Sequence, residues 1–189
     1  MVGLSDPVGE RAAALRGIYA ALGREWRAEK FEDRLRIQKE VYLMRFHPDL
    51  APLLPYEFDM YIRGPYSPDL ADAYYAEARP ARVEVTDRAA AYAREVLGMD
   101  PWTLELAATL VMFCEYNERF PEFTAEEGVE ILLERKPWAT EGDARRALEV
   151  LRGLAAKYPE LRLPKPCAPR RGGREGRGPS PPSNSSGAC

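Results

Sequence analysis

The stretch that most constrains this chain runs over residues 101–118, beginning "PWTLELAATLVMFCEYN". Its length and proline start read as a helix, and its central turns are apolar on almost every side. A helix without a polar face has to be wrapped by its neighbours. The chain must therefore supply several more helices, with 101–118 at the centre of the core. Trp102, Leu106, Leu110, Val111, Phe113 and Cys114 are the expected core residues of this helix.

The other helices announce themselves by their first residues. Asp6-Pro7, Ser67-Pro68 and Asp100-Pro101 each place a capping oxygen before a proline. The oxygen accepts an orphan amide, and proline has no amide to lose at the first helical position. Thr124 followed by Glu127 has capping-box spacing, and Thr86 and Thr140 are two further caps. These signals predict helices over 7–22, 31–46, 68–78, 87–97, 101–118, 125–135 and 141–157. Helix 31–46 is broadly apolar through Leu35, Ile37, Val41, Tyr42, Leu43 and Phe46. Helix 141–157 keeps a narrow stripe of Ala144, Leu148, Leu151 and Leu154, so its opposite face should be wet.

Period-two alternation occurs twice, in "FDMYIR" (58–63) and "ARVEVT" (81–86). The expected fold is therefore mainly α, of the α+β kind. It is a helical bundle around the buried helix 101–118, with a two-stranded antiparallel ribbon formed by 58–63 and 81–86. Residues 1–163 form the single domain in this reading. Residues 164–189, "PKPCAPRRGGREGRGPSPPSNSSGAC", have too few apolar side chains to offset chain entropy and are expected to be a disordered basic tail.

From Pro164 onward five basic residues face one acid, a balance of +4. The whole chain is −3, so residues 1–163 carry −7. An acidic body does not favour non-specific attachment to phosphate backbones. The opening "MVGLSDPVGE" has neither a basic nor an apolar signal region, and no run of about eighteen apolar residues occurs, so a cytoplasmic, non-membrane protein is expected. Three cysteines, an odd number without Cys-x-x-Cys spacing, argue against a disulfide framework and against zinc.

Catalytic constellations are hard to assemble from these residues. The one histidine, His47, follows an apolar helix end and precedes Pro48. It reads as a helix C-terminus, where a protonated ring would suit the dipole. The carboxylate pairs Glu32-Asp33, Asp69 with Asp72, and Glu126-Glu127 sit at helix starts, where acids are favoured anyway. No phosphate-binding glycine loop and no cofactor box is present in the body. No catalytic, cofactor or metal residues are therefore assigned. The remaining candidate is a cluster of aromatics: Tyr56, Phe58, Tyr61, Tyr66, Tyr74 and Tyr75. Tyrosine offers contact area with a polar tip and is enriched in protein interfaces. Arg63, Tyr66 and Tyr74 are the expected exposed contact residues.

"RLRIQKEVYLM" (34–44) resembles the Leu-Gln-Lys-Leu-x-Tyr-Leu helix of the YwgA-like proteins and, more remotely, of the Panacea antitoxin domain. "YEFDMYIRGPYSPDLADA" (56–73) is similar to their aromatic strand, Gly-Pro-Tyr-Ser turn and following helix. "LELAATLVMF" (104–113) and the helix leading to Lys136-Pro137 resemble the closing pattern of YwgA-like proteins. The departures are Glu40, where the family tends to be apolar, and Asp72-Ala73, where Asp-Leu is usual. The resemblance implies a helical, non-catalytic domain that acts by binding a partner protein, as an antitoxin binds a toxin. A second copy of the chain is also admitted as a partner. The alternative reading is a DNA-binding regulator of winged-helix type, suggested by the helix–ribbon order and opposed by the acidic body.

Overall fold

The computed structural model describes residues 6–165 and 167. Seven α-helices are present among them: α1 (Pro7–Ala21), α2 (Phe31–Met44), α3 (Pro68–Tyr75), α4 (Asp87–Gly98), α5 (Pro101–Asn117), α6 (Ala125–Arg135) and α7 (Glu141–Lys157). A 3-10 turn covers Ala51–Leu53. Between it and α3 lie two short strands, β1 (Asp59–Tyr61) and β2 (Gly64–Tyr66), which pair antiparallel.

The cap signals explain where the helices begin. The side chains of Asp6, Ser67, Thr86, Asp100, Thr124 and Thr140 each accept an amide of the first turn. Thr124 with Glu127 and Thr140 with Asp143 close reciprocal capping boxes. The start of α2 carried no such signal: there the amide of Lys30 donates back to the Asp33 carboxylate at 3.3 Å.

Helix α5 lies at the centre. It packs against α2, α6, α7 and β2, and every residue from Leu106 to Cys114 is buried. Each leucine or phenylalanine so placed contributes roughly 1.5–3 kcal/mol of transfer free energy. Trp102 is only half-buried, because it stands in the first turn, before the neighbouring helices close round. Helix α7 buries Ala144, Leu148, Leu151 and Leu154 and exposes Arg145, Arg146, Glu149 and Arg152. No single described helix is long and apolar enough to cross a membrane, and α4 and α5 are set at 116° to each other.

Two expectations are corrected. The ribbon partner of β1 is 64–66, not 81–86. Residues 81–86 do alternate, with Val83 and Val85 half-buried and their neighbours exposed. They lie as an irregular segment across α1, where the amide of Ala81 donates to the Ala13 carbonyl at 2.9 Å. Gly17 makes this crossing possible, since a Cβ there would stand 2.2 Å from the Ala81 oxygen. Alternation reports one buried side, and a helix surface serves that side as well as a sheet does.

The second correction concerns cysteine. Cys114 in α5 and Cys167 form a disulfide with Cα atoms 6.0 Å apart, and both are buried. A sequence separation of 53 hides the pair from any local spacing argument. Leu163, Pro164 and Cys167 are buried, and Arg162 donates its amide to the Phe46 carbonyl, so packing runs past residue 163. The expected tail otherwise lies outside the described residues, as does Cys189.

Candidate functional site

The hairpin stands on a polar platform supplied by α2. Gln38, Lys39 and Glu40 are consecutive, and all three are buried. Charged side chains are almost never buried without partners, and each of these has one. Gln38 clasps Ser67 from both sides: the Ser67 amide donates to Oε1 at 2.8 Å, and Nε2 donates to the Ser67 carbonyl at 3.0 Å. Nε2 also donates to the Tyr74 hydroxyl. The Lys39 ammonium donates to the Pro65 carbonyl at 2.7 Å. Glu40 accepts from the Tyr19 hydroxyl and from Arg36 Nε, both at 2.6 Å. Arg36 in turn donates to the Leu97 and Met99 carbonyls, closing the end of α4. Three residues of α2 thus tie together α1, the hairpin and α3, while Arg36 joins α4 to them.

The hairpin itself is short, with Tyr61 opposite Gly64 and Ile62-Arg63 as the turn. Gly64 adopts φ +87°, the left-handed residue that follows the turn in bulged hairpins. It also sits tightly on α5, where a Cβ would fall 2.4 Å from Thr109 Oγ1. Pro65 donates nothing to the ladder and occurs on an edge, where prolines are tolerated. Its carbonyl is left for Lys39.

Arg63 is exposed, with its guanidinium 5.6 Å from the centre of the Phe31 ring. Tyr66 is half-buried, its ring 4.9 Å from that of Tyr61. Tyr74 was expected to be exposed and is not: it shares the inner face of α3 with Leu70 and Ala73, and its hydroxyl is held by Gln38. Its neighbour Tyr75 is the exposed one. Sequence reasoning also missed Phe31 and Ile62. Ile62 reads as the third inward residue of a strand, but the strand ends at Tyr61 and Ile62 forms the tip. The outcome is an exposed apolar surface around the hairpin, in which Ile62 is 88% exposed, Tyr75 71%, Tyr61 54% and Phe31 53%.

Two cavities flank this face and share Leu35. One, about 210 Å³, lies between α2 and α3 and is lined by Phe31, Arg34, Tyr66, Ala71 and Tyr75 among others. The other, about 170 Å³, is walled by Lys39, Arg63, Glu105, Leu104 and Pro101, with Glu32 and Arg36. Burial lowers the Lys39 amine to about 8; Glu105 opposes the fall, and Lys136 and Arg63 add to it. A wider crevice of about 420 Å³ lies between α1 and α2. Two of its arginines are satisfied within it, Arg27 by Glu25 and Arg36 by Glu40.

The residues weighed for catalysis are placed elsewhere. His47 is buried, stacks on Tyr92 with centroids 5.7 Å apart, and accepts the Asp49 amide on Nδ1 at 3.2 Å. Its Nε2 stands 3.5 Å from Glu160. Asp69 pairs with Arg11, Glu126 with Arg152, and Glu127 closes a capping box. No group of three or more His, Cys, Asp or Glu side chains that could hold a metal occurs among the described residues. Compared with known proteins, the chain matches no family model, no curated protein and no solved structure at a significant level.

Proposed function

We propose that this chain is a non-enzymatic binding protein that acts through contact with a partner protein, with the hairpin face as its docking surface. The observation that carries this reading is the exposure of Phe31, Tyr61, Ile62 and Tyr75 in and around the hairpin, where Phe31 and Tyr75 line one cavity with Tyr66, and Tyr61 packs on Tyr66. Large aromatic and aliphatic side chains gathered on a surface favour a protein partner. Arg63 stands among them and forms no ion pair with the described residues, so an apolar partner segment carrying acidic side chains complements the face best.

The resemblance of residues 34–44 and 56–73 to YwgA-like and Panacea sequences supports the sharper form of the proposal, neutralisation of a toxin protein. The winged-helix alternative has the helix–hairpin order in its favour, but residues 1–163 carry a charge of −7 and the hairpin tip offers a single cation, Arg63, beside the exposed Ile62. Cytoplasmic location belongs to the same proposal. It sits uneasily with the Cys114–Cys167 bridge, because disulfides persist mainly in oxidising compartments.

The test compares wild type with the double variant Arg63→Ala, Tyr66→Ala in isolations from the native host. A stoichiometric protein partner, retained by wild type and depleted at least tenfold from the variant, is the expected result. Equal recovery by both would sink the proposal. Gel shifts on the protein's own promoter provide the second arm. A shift that weakens steeply with salt would favour the DNA-binding reading instead.

A further inference from the structure

We propose that the 170 Å³ cavity beside the hairpin is a carboxylate-binding subsite, receiving an acidic side chain of the partner between the Lys39 ammonium and the Arg63 guanidinium. This rests on the reading of the hairpin face as a docking surface and assigns that face its specificity.

The argument begins with unused donors. An ammonium has three N–H groups, and the only acceptor Lys39 finds among the described residues is the Pro65 carbonyl. Glu105, on the wall of the same cavity, pairs with Lys136 at 2.6 Å and acts on Lys39 only at longer range. Lys39 is therefore a buried cation lining an open cavity, with no ion pair among the described residues. Arg63, across the same cavity, is equally without one. Leu35, Leu104 and Pro101 supply apolar walls suited to the methylenes of a glutamate side chain. Glu32, which is exposed, and Glu105 also line the cavity, and their charges oppose an incoming carboxylate, so Lys39 and Arg63 together must outweigh them.

Protonation gives the subsite a signature. The groups facing Lys39 are Glu32 and Arg36 from its own helix, Arg63 from the hairpin, Glu105 from α5 and Lys136 beyond α6. The amine titrates at about 8 because burial disfavours its charge. A bound carboxylate favours the charged form, so binding raises that value. Affinity should hold below about pH 8 and fall as pH rises through it.

The experiment titrates the full chain with acetyl-Phe-Glu-amide and with its neutral twin acetyl-Phe-Gln-amide, following lysine side-chain resonances. The expected result is saturable binding of the glutamyl peptide, with Kd on the order of 1 mM for so small a ligand. The glutaminyl peptide should bind at least tenfold more weakly. The Lys39 titration midpoint should move upward on saturation. Arg63→Ala, at an exposed position, should weaken the glutamyl peptide severalfold without touching the fold. Lys39→Met should abolish the preference between the two peptides. Equal binding of the peptides, an unmoved Lys39 midpoint, or capture of phenylacetate but not of the glutamyl peptide would each overturn the proposal. A partner lost from hairpin variants but indifferent to Lys39→Met would leave the docking face standing and remove the subsite alone.

Discussion

Lys39 titrates at about 8 in the folded chain, whereas its ordinary value is near 10.5. Between these values the unfolded state binds more protons than the native state, so this group makes stability rise with pH over that window. The full gain is up to roughly 3 kcal/mol, at about 1.4 kcal/mol per unit. Tyr19, Tyr42, Tyr74 and Tyr92 are pushed the other way, chiefly by burial, well above the usual phenol value. Their contribution is present below about pH 10 and is lost as pH rises through their raised values. Chemical denaturation across pH 7–11 should therefore show a maximum between about 9 and 10, and Lys39→Met should flatten its rising limb. At this scale the sequence was least legible. Gln38-Lys39-Glu40 looks like a solvated helix face, and only the partners brought from α1, the hairpin and α3 make its burial tolerable. Tyr74 and Tyr75 are equally aromatic and adjacent, and the phase of α3, set by Leu70 and Ala73, decides which is wet.

The helices were the legible elements, because their signals are local. A capping oxygen two or three residues ahead of its amide needs no tertiary knowledge. Asp100→Ala should accordingly cost about 1 kcal/mol in denaturant melts, the usual value of a cap. The hairpin depends on distant groups. Its second strand, "GPY", has no alternation and contains a proline, so nothing in the sequence marks it as a strand. It forms because Gly64 can take φ +87° against Thr109 and because Lys39 holds Pro65. Gly64→Ala adds left-handed strain and a Cβ 2.4 Å from a hydroxyl. It should cost about 2–4 kcal/mol, of which backbone strain supplies about 1–3. It should also shift the Lys39 resonance, whereas Gly98→Ala, with open space around it, should do neither.

For the whole molecule, the central position of α5 followed from a single fact, the lack of any polar face on its middle turns. The disulfide did not follow, since pairing across 53 residues is a property of the assembled fold. Closing a loop of that length removes chain entropy equivalent to about 4 kcal/mol in the simplest treatment. Cys167→Ser should therefore lower stability by about 2–4 kcal/mol, and a reductant should do the same to wild type but not to the variant. Thiol trapping in freshly lysed host cells would report whether the bridge is closed where the protein works. The claim that organises all of this is that the hairpin face is covered in use. Hydrogen exchange on the full chain, with and without the co-isolated partner, tests it most directly. Slowed exchange confined to residues 58–76 and the start of α2 is the expected outcome. Unchanged exchange there, with protection instead on the wet face of α7, would contradict it.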